Sequence, residues 1–367
     1  MPISRDKRNR VLKEYLNDSE IFFVNHARTG LRLLLSSLGL PKGARIGVQS
    51  YNCNTVFEAI TKAGYKPVFI DVTDEFILDL QDINKKREQI DAIIITHLFG
   101  IPAPVKKVRE IIGEKPVIED CAHAFLSNDG ESQLGIDGDA AVFSFGNAKF
   151  PAIGAGGGVV IRNRTLEESF RQQYSKLGRE GKFSMVKGIV KNLLFTIAHI
   201  PLIYGMVTYP YLKKLDSKKD FGGKFRWKEN TLPLFYQSLF FHKSKFFRKW
   251  LLRQQKNGQK IIESLPGKLK PAITANEKRN FFMLPILTEK RDTIIAEMYQ
   301  NGIETGAHFS QSTEWAKSYG YVSGECPNAE EICRSILCVP THYRLNKKKT
   351  DHIAKLISQC FTDECAD

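Results

Sequence analysis

The sequence predicts a doubly wound α/β fold, a large and mostly parallel sheet with helices on both faces, followed by a small α+β C-terminal domain. Three observations predict it. Strand-like and helix-like segments alternate between residues 25 and 170. The run DAIIITHLFG (91–100) is almost continuously apolar and rich in β-branched residues, as a parallel strand covered on both faces requires. After Lys256 the alternation gives way to a long helix, a strand-like NFFMLPIL, a helix and a second short strand.

The elements follow in order. Residues 1–20 read as a polar helical lead-in, and the apolar positions 31, 33, 34, 35 and 38 give ARTGLRLLLSSLGL (27–40) one buried helical face. PKG (41–43) turns the chain into the strand ARIGVQS, and the helix NTVFEAITKAG ends at Gly64 before the strand KPVFIDV (66–72). Beyond 91–100, VKKVREIIG is a helix, PVIEDCAHAF a strand running into a loop, and DAAVFSFG (139–146) another strand. GAGGGVVIRN is a glycine-rich turn leading into one more strand. The reading divides the chain into 1–178, a basic and hydrophobic insertion at 179–256, and 257–367.

Composition narrows the function. With 42% hydrophobic residues the chain is not disordered throughout, and MPISRDKRNRVLKEYL carries no apolar secretory core. Seven cysteines at 53, 121, 326, 333, 338, 360 and 365 include no CxxC pair, which fits reduced thiols and favours the cytoplasm. The net charge of +14 is concentrated: residues 179–256 hold 17 Lys+Arg against 4 Asp+Glu, a balance of +13. That argues for a basic patch on one insertion and against a nucleic-acid binder.

Four features sit at predicted strand ends, where open α/β sheets bind ligands. Asp120 ends an apolar strand, so its carboxylate needs a partner; a protonated pyridine nitrogen would serve, as would an ion pair or a helix N-cap. Lys149 lies in an apolar, glycine-bordered loop, where desolvation would suit an imine-forming amine; a solvated loop lysine is the plainer alternative. Ser144 precedes it by five residues. The start of the ARTG helix offers free amides to a phosphate, although an ordinary helix cap looks the same. No metal site is expected.

Together these features resemble the DegT/DnrJ/EryC1/StrS sugar aminotransferases, fold-type I enzymes dependent on pyridoxal 5'-phosphate (PLP). NHARTGLRLLLSSLGLPKG is similar to the family's phosphate-binding helix and KPVFIDVTDEFILDL to its GxxPVFVDVD segment. THLFGIPAPV, EDCAHAF and FSFGNAKFPAIGAGGGVVI resemble its HLYGQPADM, EDxAQA and FSFxxxKxxxxGEGG motifs, and NGIETGAHF and ILCVPTHYRL match its small domain.

The resemblance implies a Schiff base on Lys149, Asp120 on the ring nitrogen, Ala122 on a ring face, and His123 at the ring 3'-oxygen where the family usually has Gln. Ser144 and the amides of Arg28 and Thr29 would bind the phosphate, and Asn230 is the candidate for an asparagine that reaches the partner subunit's phosphate. Cys53 stands where many members place an aromatic, and Ala155 replaces the Glu of GEGG. Lysine at 149 argues against the family's dehydratase branch. The implied activity, in a homodimer with a shared active site, moves an amino group from glutamate to a keto or aldehyde sugar. That sugar is usually nucleotide-linked and destined for surface polysaccharide or lipopolysaccharide. The alternatives are an unlinked or lipid-linked sugar, or a non-catalytic PLP-binding protein at the membrane.

In the last alternative Cys53 and Ala155 signal decayed catalysis, and the membrane and the lipid-linked sugar come from Asn192–Leu212, 21 residues without a charge, flanked by lysines and aromatics. Its length matches a bilayer span, but Pro201, Pro210, Gly205 and His199 argue against one. The expectation is either a dimer interface or a monotopic element peripheral to the inner face of the membrane.

Overall fold

The computed structural model describes residues 10–17, 19–179, 182–198, 200–208, 210–211, 227–269 and 278–362. The lead-in helix α1 (Arg10–Tyr15) precedes β1 (Phe22–Val24) and α2 (Ala27–Ser37). Then come β2 (Arg45–Gln49), α3 (Asn54–Lys62), β3 (Lys66–Ile70), α4 (Leu80–Lys86), β4 (Ala92–Thr96) and α5 (Val105–Ile112). The sheet is completed by β5 (Val117–Asp120), β6 (Ala140–Ser144) and β7 (Gly157–Ile161), with α6 (Arg164–Ser175) and the short β8 (Gly178–Arg179) after them.

Nine strands form one sheet in the order β3-β2-β4-β5-β6-β7-β1-β9-β8, where β9 is Asn230–Thr231. The run from β3 to β6 is parallel and β7 returns antiparallel to β6. Ala92, Ile93, Ile94 and Ile95 of β4 are all buried, because helices cover both faces of the central strands. Helix α2 lies close over the sheet because position 30 is glycine: a Cβ there would stand 2.5 Å from Val159 Cγ2.

The insertion opens with α7 (Lys182–Ala198), then a short turn α8 (Pro201–Ile203) and a wide turn over Tyr204–Thr208. No helix among the described residues is long and apolar enough to cross a membrane. The long helix expected after Lys256 in fact begins much earlier, as α9 (Leu234–Ser264). The expected boundary at 256/257 therefore falls inside a continuous helix. Its first half packs Phe240 and Phe247 into the large core with Phe125 and Phe145, and its second half packs Ile261 and Ile262 against Leu284 and Ile286. One helix serves two cores because its buried positions continue in helical spacing past the composition change at 256.

The C-terminal part holds β10 (Leu284–Leu287), α10 (Arg291–Gln300), α11 (Ser312–Lys317), α12 (Pro327–Ser335), β11 (Ile336–Val339) and α13 (Lys347–Thr362). The antiparallel pair β10–β11 is the small sheet of the expected α+β unit.

Candidate active site

The carboxyl ends of β5 and β6, the start of α2 and the 145–156 loop surround a pocket of about 670 Å³. Arg28, Asp120, Ala122, His123, Ser144 and Lys149 all line it, so six of the eight expected site residues meet in one place. Strand register brings this about: Asp120 pairs with Val142 and Thr96, and Ser144 with Gly157, all at one edge of the sheet.

Asp120 is buried, and its Oδ1 accepts the Ala122 amide at 3.0 Å. Among the described residues no cationic side chain forms an ion pair with it. Burial pushes its carboxyl above the ordinary range, against the lowering effects of the Ala122 amide, Lys149 and His97. Behind it lies a closed polar core, with His97 Nε2 2.9 Å from Glu119 Oε2 and the amides of Gly135 and Ala103 donating to that pair. These bonds account for both side chains, so the His97, Glu119 and Cys121 cluster is a brace behind Asp120.

Lys149 lines the pocket half-buried, with its amine 4.9 Å from the Phe282 ring centroid. Burial lowers its pKa below the usual lysine value, and Cys53 and Asp120 act in the opposite direction. His123 stacks on Phe282 with centroids 4.2 Å apart, and its Nδ1 accepts the Phe99 amide at 3.3 Å. Burial, reinforced by Lys149 and His308, holds its imidazole far below the usual pKa. The ring is therefore neutral, and with Nδ1 accepting, its proton belongs on Nε2.

At the α2 end of the pocket, Gly157 lets the start of that helix touch the sheet: a Cβ there would lie 2.7 Å from the Ala27 nitrogen. Arg28 lines the pocket and Thr29 does not. Thr29 is buried outside the pocket, its amide donating to the His26 carbonyl at 3.0 Å and its hydroxyl to Asn25 Oδ1 at 2.9 Å. Asn230 does not line it either. It is buried in β9 outside the pocket, with its backbone carbonyl accepting the Asn25 amide and its side-chain Nδ2 without a hydrogen-bond partner among the described residues. Short strands that pair across β1 hold it inside its own sheet.

Four pocket neighbours escaped the sequence reading. Phe309 lines the wall where Cys53 supplies no ring, and stacks 12° from parallel on His123. His308 lines a second cavity of about 440 Å³ that shares Lys149, and burial and Lys149 push its pKa down to about 3. Its place in NGIETGAHF was the available signal. Asn192 and Tyr236 come from α7 and α9: Asn192 donates to the Tyr236 hydroxyl at 2.8 Å and accepts from Asn147 at 3.2 Å. The signal there was a lone amide four residues after Gly188 in an apolar helix, since both residues face the pocket.

Comparison with known proteins agrees with this geometry. The chain is 33% identical over 147 residues to GDP-perosamine synthase of Escherichia coli O157:H7, covering 39% of this chain and 40% of that one. It is 23% identical over 367 residues to dTDP-4-amino-4,6-dideoxy-D-glucose transaminase of Shigella dysenteriae, covering 96% and 89%. Its fold superposes with a TM-score of 0.75 on a DegT/DnrJ/EryC1/StrS aminotransferase from Brucella abortus, at 20% identity and with 96% and 89% of the two chains covered. The family's sequence profile matches residues 5–195 and 242–358, which take in strands β1 to β8 and all six residues that meet in the pocket. By that match, over a fold of the same kind, the chain belongs to the DegT/DnrJ/EryC1/StrS aminotransferase family.

Proposed function

We propose that this chain uses PLP to move an amino group from an amino acid, L-glutamate, to a keto or aldehyde sugar carried on a nucleotide, for surface polysaccharide or lipopolysaccharide. One observation carries the reading. A buried carboxylate without a cationic partner among the described residues and a lysine with a lowered pKa face the same pocket. A carboxylate so placed fits a protonated ring nitrogen, and an amine whose charge burial disfavours fits an aldehyde. Two relatives named above act, by their names, on GDP- and dTDP-linked sugars, which supports a nucleotide-linked acceptor.

Bound PLP supplies an aldehyde that carries the amino group and a ring that accepts electron density. In this reading the residues divide the work. Lys149 Nζ anchors the cofactor and afterwards moves a proton at the substrate carbon bearing nitrogen. Asp120 keeps the ring nitrogen protonated. Ala122 packs on a ring face, and His123 donates from Nε2 to the ring oxygen. Ser144 and the α2 start at Arg28 hold the phosphate, where the helix dipole favours an anion. The side chains of Asn192 and Tyr236 close the pocket and exclude water.

The test is direct. PLP-loaded protein mixed with excess glutamate should lose its visible absorbance and release one 2-oxoglutarate per site; a nucleotide-linked keto sugar should then restore the band. A spectrum that no amino acid changes would reject transamination.

A further inference from the structure

Helix α7 is built inside out. Gly188 and Asn192 face the pocket, while Val186, Val190, Leu193, Leu194 and Ile197 on the opposite side are between 42% and 61% exposed. Helical spacing puts those five in one stripe. The stripe continues into the turns that follow, where Leu202, Met206 and Val207 are 63% to 72% exposed. A soluble surface rarely leaves so many large apolar side chains together in water.

Three further observations choose the occupant. The apolar stripe lies in a segment of charge +13, and exposed Lys245 and Lys249 on α9 stand beside Phe246, itself 41% exposed. Pairing this face with itself in a second copy would bring two such charges together, which opposes association. An anionic surface is the complement. Finally, residues 196–241, which hold the wide turn and its basic sequel, fall outside both stretches that match the family profile.

We infer that this face docks on a bilayer rich in anionic phospholipid, lying in the headgroup layer and not spanning it. Apolar side chains enter the acyl boundary while lysines meet the phosphates and Tyr211 and Phe235 sit at the interface. Because the inner face of the same helix is a pocket wall, docking holds the wall formed by Gly188 and Asn192 in place and sets the pocket mouth near the membrane. The inference does not depend on the reaction assigned above.

The full chain is mixed with vesicles of phosphatidylcholine, alone or with phosphatidylglycerol, and sedimented at low and high salt. Wild type should pellet with the anionic vesicles, be partly released by salt, and stay in solution with phosphatidylcholine alone. Leu193→Ser, Leu194→Ser and Leu202→Ser combined should lower binding by at least about a hundredfold, since each buried leucine contributes roughly tenfold or more. The variant's circular dichroism and its mass by light scattering should not change. Lys245→Glu with Lys249→Glu, a change confined to exposed side chains, should weaken anionic binding without altering the fold. Wild type that ignores anionic vesicles overturns the inference. So does a leucine variant that loses mass, which would place the face between copies of the chain.

Discussion

Asn192 of α7 donates a hydrogen bond of 2.8 Å to the hydroxyl of Tyr236 in the first turn of α9, and that bond joins the insertion to the wall of the pocket. The Asn192 carbonyl oxygen is held in turn by Asn147, two residues before Lys149. Helix α7 is thereby coupled to the loop that carries the lysine.

Asn192→Ala should loosen this wall. Each hydrogen bond lost is worth about 1 kcal/mol net, so KM for the sugar acceptor should rise roughly five- to tenfold. Tyr236→Phe should act in the same direction. The cofactor's absorbance and affinity should stay as in wild type, and titration with PLP checks this. A large loss of cofactor affinity would place α7 against the phosphate and not at the mouth.

Lys149→Met should abolish turnover and the visible band of lysine-bound PLP, yet make the cofactor-free protein more heat-stable. Burial holds the folded pKa below 10.5, so between the two values the unfolded chain binds more protons and stability rises with pH. Below that window the charged amine is a constant penalty, which methionine removes. Melting curves of the cofactor-free proteins at neutral pH decide it; a less stable variant would mean the amine is well solvated.

Asp120→Asn should fold normally and lose turnover by a factor on the order of 100 to 1,000, the scale of about 3–4 kcal/mol seen when a charge-stabilising group is removed. The measure is the single-turnover rate with glutamate. Near-normal rates would assign the ring nitrogen to another group.

Acid should destabilise the protein below pH 6.5. Burial lowers the His308 pKa to about 3 and that of His342 to about 4. Both values lie under the unfolded 6.5, so the unfolded chain takes up more protons in between. The stability is fully present above 6.5 and is lost as pH falls toward 3. Urea midpoints between pH 7 and 4.5 should fall less steeply for His308→Gln than for wild type; parallel curves would exclude this histidine as a source.

How much could be read beforehand varies from residue to residue. Asp120 and Ser144 were legible because each ends a strand whose apolar pattern marks it, and Lys149 because it lies in the glycine-bordered loop just after one; register aligns strand ends. Arg28 was legible as a helix start. Thr29 and Asn230 lie outside the pocket for a reason no pattern reveals. A helix's first amides are free only where the chain does not fold back on them, and the Thr29 amide is used by His26. The direction of a side chain in a two-residue strand such as β9 depends on its neighbours across the sheet.

The sequence by itself determined the alternation of strand and helix, the order of the chemical groups along the chain and the localisation of charge, because these depend on local periodicity and composition. Tertiary structure decided the rest. It ran α9 through the expected boundary at 256, since helix ends answer to packing on both cores more than to composition. It brought Phe309 and His308 from beyond residue 300 against His123. And it turned Asn192 toward the pocket, leaving the leucines of α7 in the open, because only packing against Tyr236 and the 145–156 loop tells a helix which of its faces is inside.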